Sequence, residues 1–164
     1  MIAPGEKIAT DISLQVVRDG VARETTLAGL LRRRTVVSVY MKNNTPSCDR
    51  QNEALAAVAA ELARAGYDLV GLSRDTVGAQ TRYAAKRRIA YTLASDPEDR
   101  FSKAAGAMME KSMYGRTFVG PARAAYVLER DGTVLAVAPK VDTAEHAAQL
   151  RALVAGLPAA RPAE

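Results

Sequence analysis

Apolar and polar positions alternate from Asp11 to Val17, with Ile12, Leu14 and Val16 on one side, which is the period of a half-buried strand. Asp19-Gly20 is a hairpin turn signal, and Val21–Thr25 reads as the returning strand. Thr26 is placed to cap a short helix carrying Leu27, Leu30 and Leu31. Thr35–Tyr40 is then a near-continuous β-branched run and predicts a strand buried on both faces. The period changes to that of a helix over Leu55, Val58, Ala59 and Leu62, and Gly66 stops it. Tyr67–Ser73 predicts a second buried strand, Asp75 or Thr76 caps a helix running to about Arg88, and Tyr91–Ala94 reads as a short strand. Ser95 or Asp96 with Pro97 marks one more helix start, ending near Gly106.

Ala107–Pro121 has no clean periodicity and reads as a long ordered loop over the core, with Met108, Met109 and Met113 as core filler. Ala124–Glu129 and Thr133–Ala138 flank a turn containing Asp131-Gly132, the clearest hairpin in the chain. Thr143 is placed to cap a last helix through Leu150, Leu153 and Val154 to Gly156, with His146 on it expected to be exposed and inert. One domain over residues 1–156 follows, with residues 157–164, rich in alanine and proline, as a flexible tail. Strands alternating with helices, then a late hairpin, give an α/β class: a mixed central sheet with helices on both faces and an N-terminal β-hairpin.

The candidate chemistry lies where the first buried strand runs out. Cys48 is the only cysteine, and a strand, a short polar loop (residues 40–44) and a helix start at Thr45-Pro46 lead up to it. Pro46 suits the first helical position and Thr45 the N-cap, so Cys48 falls in the first turn, where the helix dipole favours a thiolate. Ligands bind at such strand-end loops in open α/β sheets. A lone cysteine is otherwise most often a small buried hydrophobe, and only this placement argues for more.

Composition removes several alternatives. One cysteine excludes an intrachain disulfide, and with one histidine it excludes a Cys/His zinc centre within one chain. Residues 1–7 have no apolar core of a secretory signal, and no apolar run reaches membrane-spanning length, so a cytoplasmic setting without membrane attachment is expected. The net charge of +5 invites a nucleic-acid reading, but the basic clusters Arg32–Arg34 and Lys86–Arg88 are short and fall at helix ends, and no nucleic-acid motif accompanies them.

Thr45-Pro46-Ser47-Cys48 after a strand, Gly71-Leu72-Ser73-Arg74-Asp75, Leu93-Ala94-Ser95-Asp96, Glu110–Gly115 and Arg123–Gly132 together resemble the peroxiredoxins, in particular the bacterioferritin comigratory protein branch. The segments keep family order over roughly residues 5–155. The resemblance implies a thioredoxin-like fold and a thiol peroxidase without metal or prosthetic group, reducing hydrogen peroxide and organic hydroperoxides. It makes Cys48 the peroxidatic cysteine, with Thr45 and Arg123 as its active-site partners.

Three positions depart from the family pattern. Met41 stands where the motif has proline, Ser47 where this branch usually has glycine, and Glu53 where a second cysteine is often found. With no resolving cysteine in the chain, the resemblance implies a one-cysteine mode recycled by an external thiol such as thioredoxin, glutaredoxin or glutathione. The altered pocket also leaves open a thioredoxin-fold redox sensor or binding protein with weak turnover. Monomer and homodimer are equally compatible with the sequence.

Overall fold

A computed structural model describes residues 1–158, so residues 159–164, most of the expected tail, lie outside the described residues. The chain begins with an antiparallel hairpin, β1 (Ser13–Arg18) and β2 (Val21–Thr26). Both turn residues, Asp19 and Gly20, have positive φ (51° and 77°), as a twist-matched two-residue turn requires. α1 (Leu27–Leu30) follows, with the Thr26 hydroxyl accepting from the Gly29 N–H at 3.1 Å. Then come β3 (Thr35–Val39), α2 (Pro46–Arg64), β4 (Asp68–Ser73), α3 (Val77–Arg87), β5 (Thr92–Ser95) and α4 (Arg100–Ala104). A second hairpin, β6 (Met108–Met113) and β7 (Arg116–Pro121), precedes β8 (Ala125–Leu128), β9 (Val134–Ala138) and α5 (His146–Ala155).

Seven strands form one sheet in the order β2-β1-β5-β4-β3-β8-β9. β3, β4 and β5 are parallel, and β1 and β8 join them antiparallel at either side. The β-branched β3 is buried along its whole length because both faces are covered. On one side Val37, Val39, Val70 and Leu72 pack with Leu27, Leu31 and Phe101 from α1 and α4 and the segment beside them. On the other, Val36, Leu69 and Leu93 meet Leu55, Val58 and Leu62 of α2, Tyr83 of α3 and Leu150 of α5. This is the mixed thioredoxin-like architecture expected, with its N-terminal hairpin.

Gly71 of β4 lets α2 sit close against the sheet. A Cβ there would lie 3.2 Å from both Asn52 Oδ1 and Leu93 Cδ2. Asn52 cannot give way freely, since its oxygen accepts from the Tyr91 hydroxyl (2.9 Å) and its amide donates to the Cys48 carbonyl (3.1 Å). Gly71→Ala is expected to cost about 1–3 kcal/mol in urea unfolding, the usual range for overpacking. An unchanged midpoint would mean that the contact relaxes without strain.

The structure corrects four expectations. Ala107–Pro121 is a two-stranded ribbon, not a loop. Its turn residues Tyr114 and Gly115 both have positive φ (52° and 75°), but Tyr-Gly lacks the Asn-Gly or Asp-Gly signature, and the ribbon stands apart from the main sheet, so it shows no half-buried alternation. Met109 and Met113 are therefore exposed rather than core filler, and Met108 is half-buried. α5 starts at His146, not after Thr143, because the Asp142 carboxylate accepts the Ala144 and Glu145 N–H groups and holds a separate turn there. His146 itself is fully buried.

A smaller shift affects α4, which starts at Arg100 rather than Pro97, although Asp96 still anchors it by accepting from the Arg100 and Phe101 N–H groups (2.9 Å each). Of the basic clusters, Arg33 and Arg34 are engaged with Asp68 (2.8 Å) and Glu129 (3.0 Å), and Lys86 and Arg87 close α3 as expected. Among the described residues no helix is long and apolar enough to cross a membrane.

Candidate active site

The loop between β3 and α2 is pinned from several sides. Asn43 donates its amide N–H to Asp75 (3.0 Å) and its side-chain N–H to Gln80 (2.9 Å), and it accepts from the Tyr40 hydroxyl (2.6 Å). The Asn44 N–H donates to the Asp49 carboxylate at 3.1 Å, and Asp49 is in turn held by the Tyr83 hydroxyl and Arg87. Buried polar groups so fully satisfied make a rigid loop. It delivers the chain into α2 with Thr45 at the N-cap and Pro46 in the first turn.

Cys48 lies in that first turn, 1% exposed. Its sulfur accepts from the Lys42 N–H at 3.5 Å and from Arg123 Nη1 at 3.3 Å. Arg123 reaches it from the extended segment before β8, where the Val39 N–H donates to the Ala124 carbonyl and the Val141 N–H to the Arg123 carbonyl, at 2.9 Å each. Thr45 is the N-cap by position, but its hydroxyl makes no cap bond and donates to the Lys42 carbonyl at 2.8 Å. The first amide in the helical ladder is that of Asp49, donating to the Thr45 carbonyl at 2.8 Å, which leaves the Cys48 N–H outside it. Of the residues marked from the sequence, Arg123 reaches the Cys48 sulfur directly, and Thr45 bonds the carbonyl of Lys42, whose N–H donates to that sulfur.

Burial alone would push the Cys48 thiol up. Hydrogen bonding from the Thr45 hydroxyl and from the backbone at Lys42 and Met41, with the Arg123 charge, more than offsets it and holds the thiol below its ordinary value. In the resting geometry the Thr45 hydroxyl is turned to the carbonyl of Lys42, the residue whose N–H donates to the sulfur.

Sequence reading missed two neighbours. Gln51, fully buried, accepts from Arg123 Nη1 at 3.0 Å. It lies three residues after Cys48 and so shares its helix face, a spacing that could have singled it out. Lys111, carried over by the β6–β7 ribbon, sets its ammonium 2.9 Å from Met41 Sδ. Burial, with the charges of Arg123 and Arg74 nearby, lowers the Lys111 pKa. Lys111 falls in the Glu110–Gly115 segment that carries the family resemblance, but with a loop expected in place of the ribbon nothing in the sequence brings its side chain to the site. Met41, the residue in place of the motif proline, is partly buried against the core with its sulfur beside Lys111.

Glu53 pairs with Arg87 of α3 at 3.2 Å and is exposed. Five residues along a helix from Cys48, it points about 140° away from it. Among the described residues no group of three or more acidic, histidine or cysteine side chains could hold a metal ion.

A thioredoxin-like sheet that presents one buried, activated cysteine at the start of α2, with a guanidinium on the sulfur, defines a cysteine-based redox protein. Comparison with known proteins narrows the class. The AhpC/TSA family model matches residues 5–137. The chain is 34% identical over 124 residues to peroxiredoxin Bcp of Xanthomonas campestris, covering 76% of this chain and 78% of the relative. It is 31% identical over 123 residues to peroxiredoxin Bcp of Escherichia coli, covering 75% and 79%. A solved structure of X. campestris bacterioferritin comigratory protein, described for its alkyl peroxide reduction activity, superposes with a TM-score of 0.81 at 29% identity over 94% of this chain and 99% of that one. The chain belongs to the AhpC/TSA family, as a peroxiredoxin of the bacterioferritin comigratory protein branch with a single cysteine.

Proposed function

We propose that this peroxiredoxin reduces hydrogen peroxide and organic hydroperoxides through Cys48, with Thr45 and Arg123 as its partners, and that an external thiol restores it. The observation that carries this reading is the Arg123 guanidinium 3.3 Å from a thiol held below its ordinary pKa. The Cys48 thiolate attacks one peroxide oxygen, the O–O bond breaks, and the sulfur leaves the step as a sulfenic acid. The other oxygen departs with the electron pair as hydroxide or alkoxide and takes a proton from solvent. Arg123 and the free Cys48 N–H stabilise the charge developing on the oxygens, and the Thr45 hydroxyl orients sulfur and peroxide for in-line displacement. The alkyl peroxide reduction described for the X. campestris relative supports organic hydroperoxides as substrates.

Reset needs two electrons from outside the chain, because Cys48 is the only cysteine. One external thiol condenses with the sulfenic acid to a mixed disulfide and water, and a second displaces Cys48 as thiolate. Thioredoxin, glutaredoxin and glutathione have this chemistry, and the cytoplasm, where thiols are kept reduced, is the compartment that suits it.

The direct test treats the reduced protein with one equivalent of hydrogen peroxide and a dimedone-type sulfenic acid trap. Labelling at Cys48 is expected at a rate orders of magnitude above that of a free thiol. A rate no faster than free cysteine overturns the proposal. Adding each candidate thiol after oxidation and following the return of the free thiol then ranks the reductants.

A further inference from the structure

His146 is the only histidine of the chain, is fully buried, and has no part in the chemistry above. Strand alternation explains what it meets. On β3, Val36 faces α2 and α5, and Ser38, two residues on, faces the same way. Its hydroxyl lies 2.9 Å from His146 Nε2 and 2.7 Å from Gln51 Nε2.

The direction of every bond in this chain can be worked out. Gln149 Oε1 accepts from the Asp142 N–H (3.2 Å), and its Nε2 donates to the Lys140 carbonyl (2.9 Å), which sets that amide's orientation. His146 Nδ1, 2.8 Å from the same Oε1, must then carry a proton and donate it. Chiefly through burial, the imidazole is held below its ordinary pKa, against the raising effects of Gln149 and the Asp142 carboxylate and with the Arg123 charge. A neutral ring protonated at Nδ1 offers a lone pair at Nε2, so the Ser38 hydroxyl donates to it. Ser38 Oγ is left as an acceptor for Gln51 Nε2, whose second N–H goes to the Val39 carbonyl at 3.0 Å. The Gln51 oxygen therefore faces Arg123 Nη1, which donates to it and to the Cys48 sulfur.

Building on the roles assigned above to Cys48 and Arg123, we infer that His146 is a positioning residue for the peroxidatic sulfur, acting through Ser38 and Gln51 on Arg123. The lone pair at Nε2 draws the Ser38 proton away from Gln51. Were that proton to point at Gln51 instead, the favoured response would be a flipped amide, with its NH2 group facing the guanidinium. Two donors would then meet, and Arg123 would be pushed off the sulfur. The Val39 carbonyl favours the same orientation of Gln51, so His146 strengthens a preference rather than creating it. Its effect is accordingly that of about one hydrogen bond, roughly two- to tenfold.

Two isosteres separate positioning from packing. His146→Gln can place an amide oxygen where Nε2 was and accept from Ser38. His146→Asn can keep the donor to Gln149 but not the acceptor. Ser38→Ala removes the relay and leaves His146 in place. The readouts are the pH dependence of Cys48 alkylation by iodoacetamide, which needs no peroxidase activity, the rate of sulfenic acid formation, and the melting temperature. The expected result is a higher Cys48 titration midpoint and a roughly two- to tenfold slower oxidation in His146→Asn and Ser38→Ala, with both restored towards wild type in His146→Gln. In an Arg123→Met background the effect of Ser38→Ala on the titration should vanish, since the relay acts only through Arg123.

Equal losses in His146→Asn and His146→Gln overturn the inference, as does an unchanged titration in Ser38→Ala or an effect that persists without Arg123. Should His146→Asn fail to fold, the Ser38→Ala and Arg123→Met pair decides. Slow oxidation of the wild-type protein would count against the peroxidase reading alone, because the alkylation titration is independent of peroxide.

Discussion

Cys48→Ser is expected to bring thiol-dependent peroxide consumption down to the rate of the buffer and reductant alone, a loss on the order of a thousandfold or more. The substitution is close to isosteric, and the first turn of α2, capped in position by Thr45 with Pro46 behind it, does not depend on sulfur. What goes is the nucleophile, since a serine hydroxyl is not ionised by the groups that lower the Cys48 pKa. Nothing replaces it, because the chain has no other cysteine. Peroxide consumption measured with reductant, and intact mass after peroxide for the gain of one oxygen atom, check both halves of this expectation. Turnover above background in the variant would mean that another group carries the reaction.

A stability difference should accompany it, with a definite sign. Folding lowers the thiol's pKa from its ordinary value near 9, so the contribution of Cys48 to stability is present above that value and is lost as pH falls through the lowered one. The wild-type advantage over Cys48→Ser should therefore grow as pH is raised, and an advantage that instead grew on acidification would contradict a depressed thiol.

The parts of the fold legible from residues alone were those in which one local signal settled the structure. The β-branched run of β3 could only be a strand covered on both faces, and the Asp-Gly turns near residues 19 and 131 could only be tight hairpin turns. The Thr45-Pro46 step placed the helix start, and with it Cys48, to the residue. What stayed hidden depended on contacts distant in sequence. The β6–β7 ribbon has an uncommon Tyr-Gly turn and two faces that do not bury an alternating stripe, so period and propensity were both silent. His146 follows the mostly polar Asp142–Glu145 segment at the start of its helix, and its buried partner Ser38 lies 108 residues earlier, so nothing local marks it as a core residue. Gln51 looked like any polar residue of α2 until Arg123 was brought beside it. Arg123 is marked only by the family resemblance, because nothing in its own spacing connects it to Cys48, 75 residues earlier.

The departures from the family pattern take physical form in the same way. Residue 53, where a second cysteine is often found, faces α3 through the Glu53–Arg87 pair. In an intact helix its Cα is about 8–9 Å from that of Cys48. A disulfide needs less than about 7 Å, so a cysteine there could react only after the first turns of α2 had opened. With Glu53 in place the helix has no such demand on it, and the rigid polar loop before it can remain closed throughout attack. Met41 puts a flexible thioether where the motif has a rigid proline, and its sulfur lies 2.9 Å from the Lys111 ammonium.

Arg123→Met is expected to slow Cys48 oxidation by about 10²–10³-fold at neutral pH, the range seen when a preorganised donor to developing charge is removed. Two separable causes add up to this. Loss of the guanidinium removes a charge-assisted hydrogen bond to the sulfur and a favourable charge, so the thiol titrates nearer its ordinary range and less thiolate is present at pH 7. Loss of the same group also leaves the departing oxygen without its cation. Measuring the rate against pH separates the two: the first deficit disappears once the thiol is fully ionised in the variant, and the second persists on the high-pH plateau. Arg123→Lys should fall between, restoring charge but not the planar fork whose Nη1 is shared between the sulfur and Gln51. If the Met variant matches wild type on the plateau, Arg123 serves only to ionise Cys48. If its titration is unchanged and the plateau alone is lowered, the guanidinium acts on the peroxide and not on the resting thiol. A variant unchanged in both would remove Arg123 from the site altogether.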